Sequence, residues 1–123
     1  MAMQPRVLVC DEPTSQLDPA GTRAAFEVLR MLSRARQGGT TIVLTEHKLG
    51  WLAAFADRLL VLHEGALVAD GPPRQVLASA MDHAWGVGAT MYARAAQAVT
   101  ERGLVPPQSL LPATLEQAVE AVR

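Results

Sequence analysis

The chain has 123 residues, half of them hydrophobic and 19% charged, with a formal net charge of −1. That length fits one domain with a core of ordinary size, and that composition excludes an intrinsically disordered segment. Neither a basic stripe suited to nucleic acid nor an apolar run long enough to cross a bilayer is present, and a lone cysteine, Cys10, excludes an internal disulfide framework.

With no basic-then-apolar signal pattern at the N-terminus, a soluble protein of a reducing, cytoplasmic compartment is the expectation. Val7-Leu8-Val9-Cys10 is a short apolar run that ends in Asp11-Glu12-Pro13. It reads as a strand buried on both faces, stopped by the proline. Asp18-Pro19 reads as a helix start, with Asp18 capping exposed N–H groups and Pro19 in the first turn. Ala25, Val28, Leu29 and Leu32 then give that helix an apolar face, and Gly38-Gly39 is expected to end it. Thr40 to Thr45 is β-branched and apolar, a second strand. Strand, helix, strand over this span is a βαβ unit, so the two strands should be parallel.

A short helix follows, with Leu49, Leu52, Ala53 and Ala56 on one side. A strand over 58–63, a tight turn at Glu64-Gly65 and a strand over 66–70 form a hairpin. Gly71-Pro72-Pro73 breaks the chain before a short helix over 74–80. The segment 82–89 is Gly-rich and reads as a linker. Tyr92, Ala95, Ala96 and Val99 mark a further amphipathic helix ended by Gly103, and Val105-Pro106-Pro107 opens a loop that runs to Pro112. Thr114 and Gln117 match a capping box, and Leu115, Ala118, Val119 and Val122 supply the last helix's apolar face.

The residues that carry chemistry lie at the end of the first strand. Side chains at the carboxyl end of a strand project into the crevice where α/β sheets bind ligands. There Asp11 could hold a magnesium ion, largely through water, because magnesium gives up its waters reluctantly. Glu12 would point the other way and could orient or deprotonate an attacking water. One carboxylate for the metal and one for the nucleophile is the division of labour that nucleotide hydrolysis requires. An apolar run followed by Asp-Glu is, by itself, more often a strand end with solvated acids. His47, just past the second strand, could reach a phosphate oxygen in the same crevice and donate a hydrogen bond to it. Taken alone it would more often be a surface residue beside Glu46. His63 reads as a strand-end residue and His83 as part of the linker.

The longer context decides between these readings. Val7-Leu8-Val9-Cys10-Asp11-Glu12-Pro13-Thr14-Ser15-Gln16-Leu17-Asp18-Pro19 resembles the Walker B strand and D-loop of ATP-binding cassette (ABC) ATPases. Thr41-Ile42-Val43-Leu44-Thr45-Glu46-His47 resembles the strand and switch histidine of that family, and the hairpin from Asp57 to Gly71-Pro72-Pro73 resembles its terminal hairpin. Trp51-Leu52-Ala53, Tyr92-Ala93-Arg94, Gly103-Leu104-Val105-Pro106 and Leu115-Glu116-Gln117-Ala118-Val119 are similar to the tails of energy-coupling-factor importer ATPases. The resemblance implies an α/β chain with part of a P-loop NTPase fold: parallel strands with flanking helices, a terminal β-hairpin and C-terminal helices. It implies a catalytic portion over 1–81 and a helical extension over 82–123. It assigns Glu12 and His47 to catalysis, Asp11 to the metal, and Asp11, Ser15 and Asp18 to the nucleotide, with ATP and Mg2+ as cofactors. Cys10 stands where an aliphatic residue is more usual and Gln16 where alanine is; a buried cysteine behaves as a small hydrophobe.

Several parts of the family pattern are missing from these residues, the glutamine loop among them. The phosphate loop G-x-x-x-x-G-K-[ST] needs a lysine directly after glycine. Lys48 is the only lysine, and it follows His47. The Leu-Ser-Gly-Gly-Gln signature is also absent. Phosphate affinity in such sites comes mostly from backbone N–H groups, a helix N-terminus and the lysine. The expectation is therefore the second half of an ABC ATPase, inactive alone, which needs a first half or an ATPase dimer partner. Its other expected partner is a transmembrane transporter subunit at the inner face of the membrane, and no nucleic acid is expected. Interior strands left without neighbours should also expose apolar surface and favour association. The competing readings are a non-enzymatic docking or regulatory module derived from such an ATPase, and a metal-dependent phosphodiesterase that uses Asp11, Glu12, Asp18 and His47. An in-frame phosphate loop and signature encoded upstream of Met1 would favour the first reading.

Overall fold

The computed structural model describes residues 5–35, 39–82, 85–105 and 111–121. Contacts divide the chain into two compact units, Met1–Lys48 and Leu49–Arg123. In the first, strand β1 (Val7–Asp11) leads through helix α1 (Pro19–Ser33) to strand β2 (Thr41–Thr45). The strands pair in parallel, in a register that sets Val7 opposite Thr41 and Asp11 opposite Thr45. The βαβ expectation therefore holds.

Helix α1 begins as its sequence predicts. Asp18 is extended and its side chain accepts a hydrogen bond from Gly21 N at 2.7 Å, with Pro19 in the first turn. The buried stripe is formed by Thr22 and Phe26, flanked by Ala25, Leu29 and Leu32, and α1 packs against β2. Val28, predicted inside, is 49% exposed, because the stripe follows Thr22, Phe26 and Leu29 at helical spacing and turns Val28 to its flank. The helix also ends earlier than expected, at Ser33. Gly39 is instead the turning point: its φ is +35°, and a Cβ there would lie 2.3 Å from the carbonyl oxygen of Ser33. Only glycine fits that approach.

β1 is not buried on both faces. Residues alternate in exposure along both strands, with Leu8, Cys10, Ile42 and Leu44 half-buried. On the opposite face Val7, Val9 and Val43 are 56%, 74% and 51% exposed. A strand's side chains alternate between faces, and α1 packs against β2.

The second unit begins with helix α2 (Leu49–Phe55), followed by strands β3 (Leu59–His63) and β4 (Ala66–Gly71). These two pair antiparallel, with a register shift between Val61 and Leu62. Glu64 and Gly65 have φ of +50° and +78°, the left-handed pair that a two-residue hairpin turn requires. Arg58 holds Asp70 across the hairpin with two 2.6 Å hydrogen bonds. Helix α3 (Pro73–Asp82) packs on both strands and on α2, and Leu52, Val61, Val76, Leu77 and Ala80 are buried. Helices α4 (Met91–Glu101) and α5 (Leu115–Ala121) pack together. Thr90 caps α4 by accepting from Ala93 N, and Gly103, with φ of +70°, closes it.

The tail helices differ in detail from their predicted faces. In α4 the inward residues are Ala93 with Tyr92, Ala96 and Val99, whereas Ala95 is exposed. In α5 Leu115 and Val119 are exposed, at 58% and 43%, and Ala118 and Ala121 turn inward. Gln117 does reach back as a capping partner, but its side chain accepts from Ala113 N rather than from the N-cap residue itself. Gly38, His83, the loop over 106–110 and Val122 lie outside the described residues.

Candidate functional site

The parallel pairing of β1 with β2 brings the two sequence motifs to one end of one sheet. Asp11 and Thr45 are register partners there. The Thr45 hydroxyl donates to Asp11 Oδ1 at 2.5 Å. The backbone N–H of Glu12 donates to both the carbonyl and the hydroxyl of Thr45, at 3.1 and 3.0 Å. Thr45 thus orients both acids. At Glu12 the chain turns sharply, with φ of +42°. A non-glycine residue held there costs about 1–3 kcal/mol and persists only where neighbours enforce it. The two hydrogen bonds that the Glu12 N–H donates to Thr45 are the visible enforcement.

His47 follows β2 on the same end. Its Nδ1 lies 4.0 Å from Glu12 Oε1, and both side chains are more than half exposed. Glu12 and His47, which are 35 positions apart, therefore face each other in solvent. Ser15 is exposed, and its N–H donates to the Glu12 carbonyl in a turn. Asp18 is exposed as well, with one carboxylate oxygen engaged in the α1 cap. Asp11, Glu12, Ser15 and His47 are gathered at the strand ends, while Asp18 is held at the start of α1.

Among the described residues no group of three or more histidine, cysteine, aspartate or glutamate side chains is arranged to hold a metal ion. Asp11, Glu12, Asp18 and His47 thus do not form the cluster that the phosphodiesterase reading needs. What the end of β1 offers a cation is one exposed carboxylate beside a hydroxyl. Hard oxygen donors of this kind suit magnesium, which keeps several waters and takes few protein ligands.

Sequence reasoning missed a layer beneath these residues. Thr14 is completely buried. Its hydroxyl donates to Glu46 Oε1 at 2.5 Å, and its carbonyl accepts from Lys48 Nζ at 2.7 Å. The same ammonium reaches Thr22 Oγ1 at 2.9 Å and the Leu17 carbonyl at 3.4 Å. Lys48 was visible in the sequence only as the lone lysine. Its position directly after His47 was the available signal.

No protein-family model matches the chain. Along its whole length it is 37% identical to the energy-coupling factor transporter ATP-binding protein EcfA2 of Symbiobacterium thermophilum, spanning 41% of that protein. It is 36% identical, also throughout, to EcfA2 of Streptococcus pyogenes, spanning 42% of it. Over 77 residues, 63% of the chain, it is 47% identical to a protein of Methanosarcina mazei provisionally named an ABC transporter ATP-binding protein, and covers 13% of that protein. The chain spans about two fifths of the length of the EcfA2 relatives. Its homologues are ABC transporter ATP-binding proteins, and those of the energy-coupling-factor type match all of its residues.

Proposed function

We propose that the chain is the Walker B to C-terminal portion of the ATP-binding subunit of an energy-coupling-factor type ABC importer, with part of a P-loop NTPase fold. In this reading residues 1–81 are the end of the catalytic domain and 82–123 a helical extension. The observation that carries it is the Glu12–His47 pair at the end of a parallel two-strand unit, 4.0 Å apart, on a chain homologous throughout to such subunits.

The roles follow from chemistry. Bound Mg2+ would neutralise charge on the ATP phosphates. Asp11, whose carboxylate accepts from the Thr45 hydroxyl, would hold the ion through its water shell. Glu12 would accept a proton from the attacking water. His47 would donate a hydrogen bond to the terminal phosphate, and Ser15 and Asp18 would contribute to the nucleotide site. The phosphate loop must come from residues beyond these 123, in the same polypeptide or another, because the only lysine is Lys48 and its ammonium is engaged with Thr14, Leu17 and Thr22. A transmembrane transporter subunit and a second ATPase are the partners this reading names, and the inner face of the cell membrane is its location. No described helix is long and apolar enough to cross a membrane.

Two measurements test the reading. Isothermal titration of the 123-residue chain with Mg-ATP should give no tight binding, because Asp11 and Glu12 alone set negative charge against a polyanion; a micromolar Kd would refute this. Completed by a polypeptide that carries a phosphate loop and signature, the chain should support ATP hydrolysis. Glu12→Gln should then lower kcat by about 10²–10⁴-fold, the range for a lost general base. Hydrolysis unaffected by that substitution would remove Glu12 from the mechanism. If the completed assembly binds its partners but hydrolyses nothing, the docking-module reading takes over.

A further inference from the structure

The residues on either side of His47 share one target. Glu46 accepts from the Thr14 hydroxyl at 2.5 Å, and Lys48 donates to the Thr14 carbonyl at 2.7 Å. Thr14 is completely buried and stands two residues after Glu12. Both partners of the 4.0 Å Glu12–His47 pair are therefore tethered to one fixed point, one through the chain and the other through its two neighbours.

We infer that Glu46 and Lys48 are positioning residues, which grip Thr14 by its hydroxyl and its carbonyl and so fix the His47 imidazole opposite Glu12. The inference rests on the proposed function of that pair. An apolar side chain at 48 could fill the same space, but it could not satisfy two carbonyls of a tight turn. A lysine ammonium carries three donors, and Thr14 O, Thr22 Oγ1 and Leu17 O lie at 2.7, 2.9 and 3.4 Å from it. Lys48 is half-buried, and burial of an ammonium is offset when its donors find partners, so the same geometry that satisfies Lys48 holds residues 14–17 and the start of α1 in place. Thr22, 1% exposed, closes the arrangement by donating to the Leu17 carbonyl at 3.4 Å. A turn held in this way cannot move without moving the backbone on both sides of His47. The switch histidine and the Asp11-Glu12 turn are thereby one rigid piece.

The test uses the whole 123-residue chain and chemical rescue. In a Cys10→Ala background, Lys48→Cys removes the ammonium, and alkylation with 2-bromoethylamine restores one on a side chain of nearly the same length. A nuclear Overhauser contact between the His47 ring and the Glu12 side chain is expected in the unsubstituted chain, lost in Lys48→Cys and regained on aminoethylation. The Leu17 amide, whose N–H donates to the Thr14 carbonyl, should exchange with solvent at least tenfold faster in Lys48→Cys and slow again after rescue. A contact that survives in Lys48→Cys, or one that aminoethylation fails to restore, overturns the inference. Should Lys48→Cys not fold, Thr22→Val keeps the cation and deletes one acceptor; it should weaken the contact, and an unchanged contact overturns the inference equally.

The completed ATPase separates this inference from the functional reading. Lys48→Met should lower kcat about tenfold with KM within twofold, and should add little to His47→Ala. A lost contact with kcat unchanged rejects the positioning role. A contact that depends on Lys48 in an assembly without hydrolysis rejects the proposed function and leaves the clamp standing.

Discussion

Asp18 has two claims on one carboxylate. The resemblance to ABC ATPases gives it to the nucleotide, while in the structure its Oδ1 accepts from Gly21 N at 2.7 Å and caps α1. The cap is the contact the structure shows, and Gly21 reinforces it, since a Cβ there would lie 3.0 Å from the same oxygen. Asp18→Ala should lower the unfolding free energy of the chain by about 1 kcal/mol, the usual cost of a lost N-cap, as read from the urea midpoint at constant m-value. No change would return Asp18 wholly to the nucleotide. Glu12 presents the opposite case. Its left-handed φ of +42° stabilises nothing locally, and the strain sits at the residue whose side chain the proposed chemistry uses.

Within elements, the same helical spacing that was read from the sequence is satisfied by different residues. The α1 stripe passes through Thr22 and Phe26, which are 1% and 2% exposed, and leaves Val28 outside. Phe26→Ala should therefore destabilise by about 3–5 kcal/mol, whereas Val28→Ala should stay within about 1 kcal/mol; equal effects would contradict the observed stripe. The hairpin has an electrostatic fastening of its own. Two hydrogen bonds from Arg58 hold the Asp70 carboxyl below its ordinary pKa. A carboxyl whose folded pKa is depressed adds stability above its unfolded pKa of about 3.9 and loses it as pH falls through the folded value. Urea unfolding between pH 6 and pH 2 should thus show a larger loss in the wild type than in Asp70→Asn. The pair is largely solvent-exposed, so the difference should be small and should shrink in high salt. Parallel pH profiles would show that the fastening is not felt.

At the scale of the molecule, surface apolarity is the main consequence. Val7, Val9 and Val43 stand together on the open face of the parallel pair. The hairpin exposes Leu60, Leu62 and Leu67, each more than half accessible. Surfaces of this kind favour association. Sedimentation velocity should show concentration-dependent self-association of the wild-type chain. Val9→Thr with Val43→Thr should reduce it while changing unfolding free energy by no more than about 1 kcal/mol, because both substitutions keep β-branching and act on exposed positions. Equal association would place the sticky surface elsewhere, with the hairpin the next candidate.

Read alone, the sequence determined the order and type of the elements, the parallel βαβ unit, the Glu64-Gly65 hairpin turn and the caps at Asp18 and Thr114, and it singled out the acids and histidine of the proposed site. These follow from local rules: side-chain periodicity, the φ demanded by glycine and proline, and motifs whose members lie within a dozen residues of one another. Where each apolar face points was less legible. A period of 3.6 leaves two or three adjacent stripes nearly equivalent, and packing chooses among them, as it did against Val28, Ala95, Leu115 and Val119. The end of α1 was displaced for a similar reason, since Gly39 is required by its approach to the Ser33 carbonyl and not by the helix stop itself. Only the tertiary structure showed that Thr45 orients both acids and that Glu46 and Lys48 close on Thr14. Those hydrogen bonds join residues more than 25 positions apart, and no local pattern encodes which distant carbonyl a lysine will find once the strands have paired.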